Sequence, residues 1–518
     1  MLILGLPLGI LAQVAVTTGH YNQARTGSNM RERILNPANV RPGSFGFVGN
    51  LPVTGCVISQ PLYVPNIKSR NVVYVATTAN MLYAFDADTL EELVSRHLGT
   101  PVPSSEINPE QGYWDFPNCD GLDEQGPVGI VGTPVIDIAG NAIYLVTTNL
   151  ENEFHRHFLH KLDLRTLEDL RPPKLIEGSY RNKQFDSYFQ LQRTALLLAG
   201  GRIYVAFSSH TDATPYAGWM FAYDSDLNQV AAMSYSPERS GSGIWQSGAG
   251  PAFSEGKIYV TTGNNAEGVV NADDNADSIL QIDPLTLHVM ARTGFPEEAG
   301  DWDFGDLDLG SSRVIPVPGT SFVIAGSKYG DMFVMDRKGM QLLTRFQAVG
   351  RVSLGFDWTG IYNGMAVWKD SLFVWPGGGG WNNDPGADFS SDVMRSYRIK
   401  PDGSVMLLAL GQDDHASAGY QGASLVVSSN GDDPESAIVW AAIPEGDSSW
   451  LRRGHLTAYT ASSAGVFHTL WSDQEEPASQ HNWAKFSQPL VANGRVYLPT
   501  FSGTVQVYGL LAKNPPLP

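Results

Sequence analysis

One pattern recurs from Ser59 to Tyr508 and constrains the fold more than any other feature of the chain. Each copy opens on a small residue with Pro or an apolar pair. An alternating strand of the Val-Tyr-Val type follows, then a second alternating strand ending near Phe-Asp or Tyr. The first copy runs through Ser59-Gln-Pro-Leu-Tyr-Val, Val72-Val-Tyr-Val and Tyr83-Ala-Phe-Asp86; the last through Ser487-Gln-Pro-Leu-Val, Arg495-Val-Tyr-Leu and Val505-Gln-Val-Tyr508. Period-2 alternation marks half-buried strands, and self-similarity at a period of tens of residues marks a repeat architecture. Eight copies are present, with inner strands beginning near Gln60, Thr133, Thr194, Pro251, Ser312, Gly364, Ala423 and Pro489. Leu-rich stretches such as Thr89-Leu-Glu-Glu-Leu supply a fourth, outer strand after most of them. Four antiparallel strands repeated radially predict an all-β, eight-bladed β-propeller, since closing the ring protects the sheet edges. The eighth copy ends after its third strand. The strand-like stretch Gly43–Val53 is predicted to supply the missing one, so that both ends of the chain close the ring.

Composition agrees where it bears on this. Gly 54, Pro 32 and 10% aromatics suit a chain of turns and strands. The net charge of −19 carries no Lys/Arg run, which argues against a nucleic-acid partner. The apolar run from Met1 to Val16 is too short to span a bilayer and reads as a secretory leader ending between Ala12 and Thr18, which predicts an extracellular protein. No later segment reads as membrane-spanning, and a ring closed by its own ends predicts a monomer. The expected layout is a leader over 1–18, a polar arm over 19–42, one propeller over 43–510 and a tail over 511–518. Cys56 and Cys119 are the only cysteines, either a disulfide in an exported chain or two thiols, and too few for a thiolate zinc cluster.

Chemistry is expected where loops crowd the axis, on the face shared by the blade-to-blade loops and the loops between second and third strands. The blade-to-blade loops carry Gln60, Gln192, Arg193, Trp245, Gln246, Asp306, Asp308, Asp357, Trp358, Gln421, Trp483 and Lys485. The other loops add His210, Asp212, Trp219, Asn264 and Lys328. Such polar residues either form a site or pair with one another as a plug, because unpaired buried polar groups cost a few kcal/mol. His210 beside Asp212, with Arg193 on the neighbouring loop, is the best acid/base set, joined by Asp308 and Lys485 as catalytic candidates. Asp306 and Asp308 belong to an acidic run that could hold Ca²⁺ through oxygens. His155 and His157 share a strand face, lack a visible third ligand, and read as surface or loop residues.

The repeats, together with Tyr21-Asn-Gln-Ala-Arg-Thr-Gly-Ser-Asn29, Gln60-Pro-Leu-Tyr-Val-Pro, Gly132-Thr-Pro-Val-Ile-Asp and Trp245-Gln-Ser-Gly, resemble the quinoprotein alcohol dehydrogenase-like superfamily, in particular its secreted PQQ-like repeat proteins. The resemblance covers nearly the whole chain from Gly19. In that family the dehydrogenases seat PQQ between a tryptophan and a bridge of two adjacent cysteines, with Ca²⁺ bound beside it. By analogy Trp245 would stack, Asp306 or Asp308 would face the metal, and Lys485 or Arg193 would polarise the quinone. The adjacent cysteine pair is absent here, and so is a haem-attachment motif. Three readings follow. The first is a secreted enzyme acting on a small organic molecule by acid/base and electrostatic catalysis of lyase, isomerase or cyclisation type, with no cofactor required. The second is a PQQ- and Ca²⁺-dependent dehydrogenase of alcohols or sugars, and the third a non-catalytic propeller binding a glycan or protein.

Overall fold

The computed structural model describes residues 13–107, 119, 126–210, 212–265, 275–295, 309–348, 360–362, 364–377, 392–411, 422–445, 453–461, 465–474 and 476–511. Eight antiparallel sheets are built in chain order, their inner and middle strands buried at nearly every position because a neighbouring blade covers each face. Blade 1 comprises Leu62–Ile67, Arg70–Ala76, Met81–Asp86 and Glu92–His97. Blade 2 comprises Val135–Asp137, Ala142–Glu151, Phe154–Asp163 and Asp169–Leu175. Blades 3 to 7 begin on inner strands Leu197–Ala199, Ala252–Ser254, Val314–Pro316, Met365–Trp368 and Ser424–Ser428. Blade 8 takes Leu490–Ala492, Arg495–Pro499 and Thr504–Leu510 from the end of the chain and its outer strand, Phe45–Pro52, from the beginning. That outer strand pairs Phe45 with Leu510 and Pro52 with Thr504, so the ring closes as the truncated eighth repeat requires.

Apolar residues from facing sheets fill the space between neighbouring blades. Between blades 2 and 3, Val135, Tyr144, Phe207, Trp219 and Phe221 form one such wall; Phe45, Trp440, Trp471 and Tyr508 join blades 7 and 8. These side chains sit at strand positions of one parity, which is why the sequence alternates so regularly.

The arm before Phe45 does more than lead in. Val16 exchanges two backbone hydrogen bonds with Tyr63 of blade 1, at 2.8 and 2.9 Å, and Ile136 N of blade 2 donates to Thr17 O at 2.8 Å. Gln23 donates through Nε2 to Leu198 O of blade 3, and its own carbonyl accepts from Phe253 N of blade 4. Arg313 at the start of blade 5 contacts His20, and Val367 N of blade 6 donates to Thr26 O. Val427 N of blade 7 donates to Gly27 O, and Val491 N of blade 8 donates to the Tyr21 hydroxyl. The arm thus visits all eight inner strands and lies across the axis. On the side of the turns between first and second strands it lines a cavity of about 630 Å³ with Pro318, Gly319, Lys369 and Asp432. Cys56 and Cys119 form a disulfide with Cα atoms 5.2 Å apart, which decides between the two options open in the sequence.

Candidate functional site at the axis

At the opposite end of the axis three blades converge. Arg193 precedes the inner strand of blade 3, Trp245 enters the short 3-10 turn Gln246–Gly248 ahead of blade 4, and Lys485 and Phe486 precede blade 8. The turn is tight: Gln246, Ser247 and Gly248 all have left-handed backbone, at φ 46, 44 and 80°. Such conformations cost energy in non-glycine residues and persist where surrounding structure enforces them. Here Gln246 N donates to Gly310 O at 2.8 Å, Ser247 Oγ donates to Ser311 O at 2.5 Å, and Ala195 N donates to Gly248 O. Blades 4 and 8 lie opposite one another in the ring, yet a Cβ on Gly248 would come within 3.2 Å of the Phe486 carbonyl oxygen. The neck is therefore narrow, and glycine permits the approach.

Two cations occupy this neck. The Arg193 guanidinium lies 3.7 Å from the Phe486 ring centroid and 5.8 Å from that of Trp245. The Lys485 ammonium lies 4.9 Å from the same Phe486 ring. Both side chains are buried, at 5% and 6% exposure. A cation over an aromatic face gains about 0.5–2 kcal/mol from the ring quadrupole, more as water is excluded. The geometry offers two positive groups and a ring edge to an oxygen-bearing planar molecule.

Below the neck the floor is polar and also basic. Gln60 Oε1 accepts from His20 N at 2.7 Å, while Gln60 N donates to Thr133 Oγ1. Arg25 is fully buried and donates to Pro251 O, Thr18 Oγ1, Gly19 O and Leu196 O. Arg313, 1% exposed, reaches His20 Nδ1 and Met365 O. Burial pushes both guanidiniums down to about 9, for Arg313 with added repulsion from Arg25. Burial, then Arg313, holds the His20 imidazole well below its usual value, so it is neutral.

Several other candidates lie elsewhere. Trp219 packs in the wall between blades 2 and 3, stacked at 5.6 Å on Phe221. Trp483 belongs to the wall between blades 7 and 8, its Nε1 donating to Ala442 O. Gln192 is buried and donates through Nε2 to Thr194 O. His210 is buried just past the blade 3 strand Arg202–Ser209; its burial, followed by the charges of nearby His157 and His155, lowers its pKa well below the ordinary imidazole range. Asp212 is exposed, with a left-handed backbone at φ 54° and its N donating to Ser209 Oγ. Asn264 and Lys328 are half-buried; the Asn264 carbonyl accepts from Ser242 N. Asp306, Asp308, Asp357, Trp358 and Gln421 lie outside the described residues. The structure corrects the reading of His155 and His157 as surface residues. They alternate along Phe154–Asp163 and are 6% and 0% exposed, covered by the segment before blade 3. His155 stacks on Tyr188 at 4.8 Å, and His157 Nε2 lies 3.0 Å from Gln190 O.

Sequence reasoning placed Arg193, Trp245 and Lys485 at the axis but missed the floor formed by His20, Arg25 and Arg313. Arg25 sits in a polar arm, and nothing in its local sequence marks it as buried.

The architecture has parallels among solved structures. The quinohaemoprotein alcohol dehydrogenase ADHIIG of Pseudomonas putida HK5 superimposes on 97% of this chain and 82% of its own, with TM-score 0.62 at 12% identity. The quinohaemoprotein alcohol dehydrogenase of Comamonas testosteroni gives TM-score 0.60 at 14% identity, over 98% and 83% of the two chains. A europium-containing methanol dehydrogenase gives 0.59 at 14% identity, over 96% and 98%. The chain has the quinoprotein alcohol dehydrogenase fold. At such identities the likeness is one of architecture. No protein-family model matches the chain, and no curated protein matches it in sequence.

The quinone that this fold implies can be tested against the residues present. Trp245 could stack a planar ring, and Cys56, Cys119 and Trp245 all contribute to one apolar cluster beside the neck. However, the disulfide joins residues 63 apart in sequence rather than neighbours, so it cannot form the eight-membered ring of an adjacent pair. The Arg193 guanidinium also sits over the Trp245 ring. Among the described residues no group of three His, Cys, Asp or Glu is placed to share a metal ion. The described residues do not complete a quinone seat.

Proposed function

We propose that the protein is an enzyme acting on a small, planar, oxygen-rich organic molecule that carries or develops negative charge in the axial funnel. The observation that carries this reading is the pairing of buried Arg193 and Lys485 over Phe486 and Trp245 at a narrow neck, in a chain whose net charge is −19. Cations fixed in a water-poor site stabilise an enolate or carboxylate far better than the same groups in water, because they need no reorganisation as charge develops. Arg193 would orient the substrate oxygen while Lys485, whose pKa can respond to its surroundings, would donate or withdraw a proton. Lyase, isomerase or cyclisation chemistry fits these groups without a redox partner. In this reading Lys485 takes the proton-transfer role, since the buried His210 imidazole neighbours His155 and His157 instead.

The similarity to quinohaemoprotein and methanol dehydrogenases favours a second reading, a PQQ- and Ca²⁺-dependent alcohol or sugar dehydrogenase. One experiment separates the two. Planar aromatic acids and phenols are screened by thermal shift in chelator, and binders are incubated with the enzyme and examined by mass spectrometry. The first reading expects an isomeric or eliminated product without added quinone or electron acceptor. Turnover seen only with PQQ, Ca²⁺ and an acceptor would establish the second instead; binding without any turnover would indicate a binding protein.

The Cys56–Cys119 disulfide supports maturation in an oxidising compartment, in keeping with a secreted protein. Backbone contacts with blade 1 begin at Val16, and Val14 N already donates to Asn493 Oδ1 at 3.0 Å. A leader would therefore be cut before Val14. Amino-terminal sequencing of protein recovered from culture medium tests this; a start beyond Val16, or retention of the chain inside cells, would refute it.

A further inference from the structure

We propose that the floor of the funnel holds a resident inorganic monovalent anion, of the chloride class, as counterion to Arg25 and Arg313. Two guanidiniums with 0% and 1% exposure meet the same short stretch of the arm, Arg25 donating to Gly19 O and Arg313 to Nδ1 of the next residue, His20. An uncompensated buried charge is among the costliest features a fold can carry, and such charges are found paired or not at all. Among the described residues, the hydrogen-bond partners of these two side chains are backbone carbonyls, one threonine hydroxyl and one imidazole nitrogen, with no carboxylate among them. Glu32, the sole acid of the arm, is buried but engaged elsewhere: its Oε1 accepts from Ile34 N, Leu35 N and Gly494 N.

A second set of observations points to an occupant. Arg313 Nε, His20 Nε2, Gln60 Nε2 and both amide atoms of Gln246 are buried with no hydrogen-bond partner among the described residues. Three of these residues are linked directly: His20 N donates to Gln60 Oε1, and Arg313 donates to His20 Nδ1. His20 bridges Gln60 of blade 1 and Arg313 of blade 5, which face each other across an eight-membered ring, so the imidazole sits on the axis. Because Arg313 donates to His20 Nδ1, the neutral imidazole carries its proton on Nε2. The orphan atoms are therefore mostly donors: an imidazole N–H, a guanidinium N–H and amide N–H groups. Buried donors in native proteins are nearly always satisfied, and each one left bare costs about 1–3 kcal/mol. Water would satisfy some of them but would leave the two positive charges uncompensated. A monovalent anion would accept from the bare donors and offset one of the two positive charges, which water cannot do.

The decisive experiment uses the unmodified protein. Crystals grown without halide are soaked in bromide, and anomalous scattering is recorded at the bromine edge. The expected result is a peak on the axis within hydrogen-bonding reach of His20 Nε2 or Arg313 Nε. In solution, protein exchanged into gluconate should show a saturable rise in Tm with added chloride, which Arg313→Gln should abolish. Absence of an axial bromide peak overturns the proposal, as does density there that refines as water or as a carboxylate of the chain itself. A rise in Tm that follows ionic strength equally for every salt would also contradict it. An adventitious halide on the surface would give peaks elsewhere and leave Tm unchanged, again against the proposal.

Discussion

Between blades 2 and 3 the chain packs Phe185, Phe207, Trp219 and Phe221 ring against ring; on the axis that those blades enclose it packs Arg25, His20 and Arg313. The two regions are equally buried and are made of opposite materials. In the wall, burial itself is the source of stability, at roughly 25 cal/mol per Å² of apolar surface. On the axis burial is a cost, offset only where every donor finds an oxygen and every charge a counter-charge. The difference teaches where function can reside: walls can be exchanged for other well-packed apolar sets, whereas each buried polar group on the axis must be matched by a specific partner.

That contrast can be broken by substitution, and the largest effect is expected in the wall. Trp219→Ala should cost about 3–5 kcal/mol of stability through lost burial and an unfilled cavity. Ligand affinity, measured on the fraction that remains folded, should not change. A denaturant titration and a binding isotherm on the same sample check both halves. A variant that lost affinity without losing stability would erase the distinction.

Arg193→Ala should behave in the opposite way. It removes a cation stacked on Phe486, so stability should fall by less than in Trp219→Ala. Activity or ligand affinity should fall by about a hundredfold, as when one preorganised donor is removed from a site of charge development. Kinetics and thermal melting together decide; a large fall in Tm with unchanged kinetics would reassign Arg193 to the scaffold.

The buried histidines give the comparison a pH dependence. Burial lowers His157 to about 3 and His160 and His481 to about 4, all from 6.5, so each is neutral in the folded protein. A depressed folded pKa means that stability is complete above pH 6.5 and is lost as pH falls toward those values. Asp473 runs the other way. Burial raises it from 3.8 to about 7, so its contribution is complete below 3.8 and is lost as pH rises to about 7. Three protons against one predict net loss of stability on the acid side. His157→Phe should flatten that loss and Asp473→Asn should steepen it, read from denaturation midpoints across the range. No change of slope in either variant would refute the assignments.

The smallest effect belongs at the rim. Leu285, 62% exposed in a turn, can become Ser with a change within about 0.5 kcal/mol, measured by the same titration.

How much of this was legible beforehand follows the same division. Strand periodicity reports which side chains face a neighbouring sheet, so Val72-Val-Tyr-Val and its counterparts revealed the blades. The missing fourth strand of blade 8 pointed directly to Phe45–Pro52. Loop position alone brought Arg193, Trp245 and Lys485 to the axis. The same reasoning sent Trp219 and Trp483 there in error of place, because a residue at a loop boundary can turn into the wall as readily as toward the axis. The arm was the least legible element. Its polar residues satisfy the carbonyls and amides of eight different blades, and such long-range pairing leaves no periodicity in the sequence. His155 and His157 looked exposed because histidine is polar, but the neutral imidazole packs well against Tyr188, Phe185 and Phe207.

The central claim, that the neck recognises negative charge through Arg193 and Lys485, is tested most directly by equilibrium titration with a planar polyanion. Benzene-1,3,5-tricarboxylate, which is not a quinone, serves as the probe, with chelator present to remove Ca²⁺. The account predicts saturable binding to the unmodified protein and affinity at least tenfold weaker in Arg193→Ala/Lys485→Ala, with both proteins equally folded. Equal affinity in the two proteins, or no binding to the unmodified protein at high micromolar probe, would contradict it.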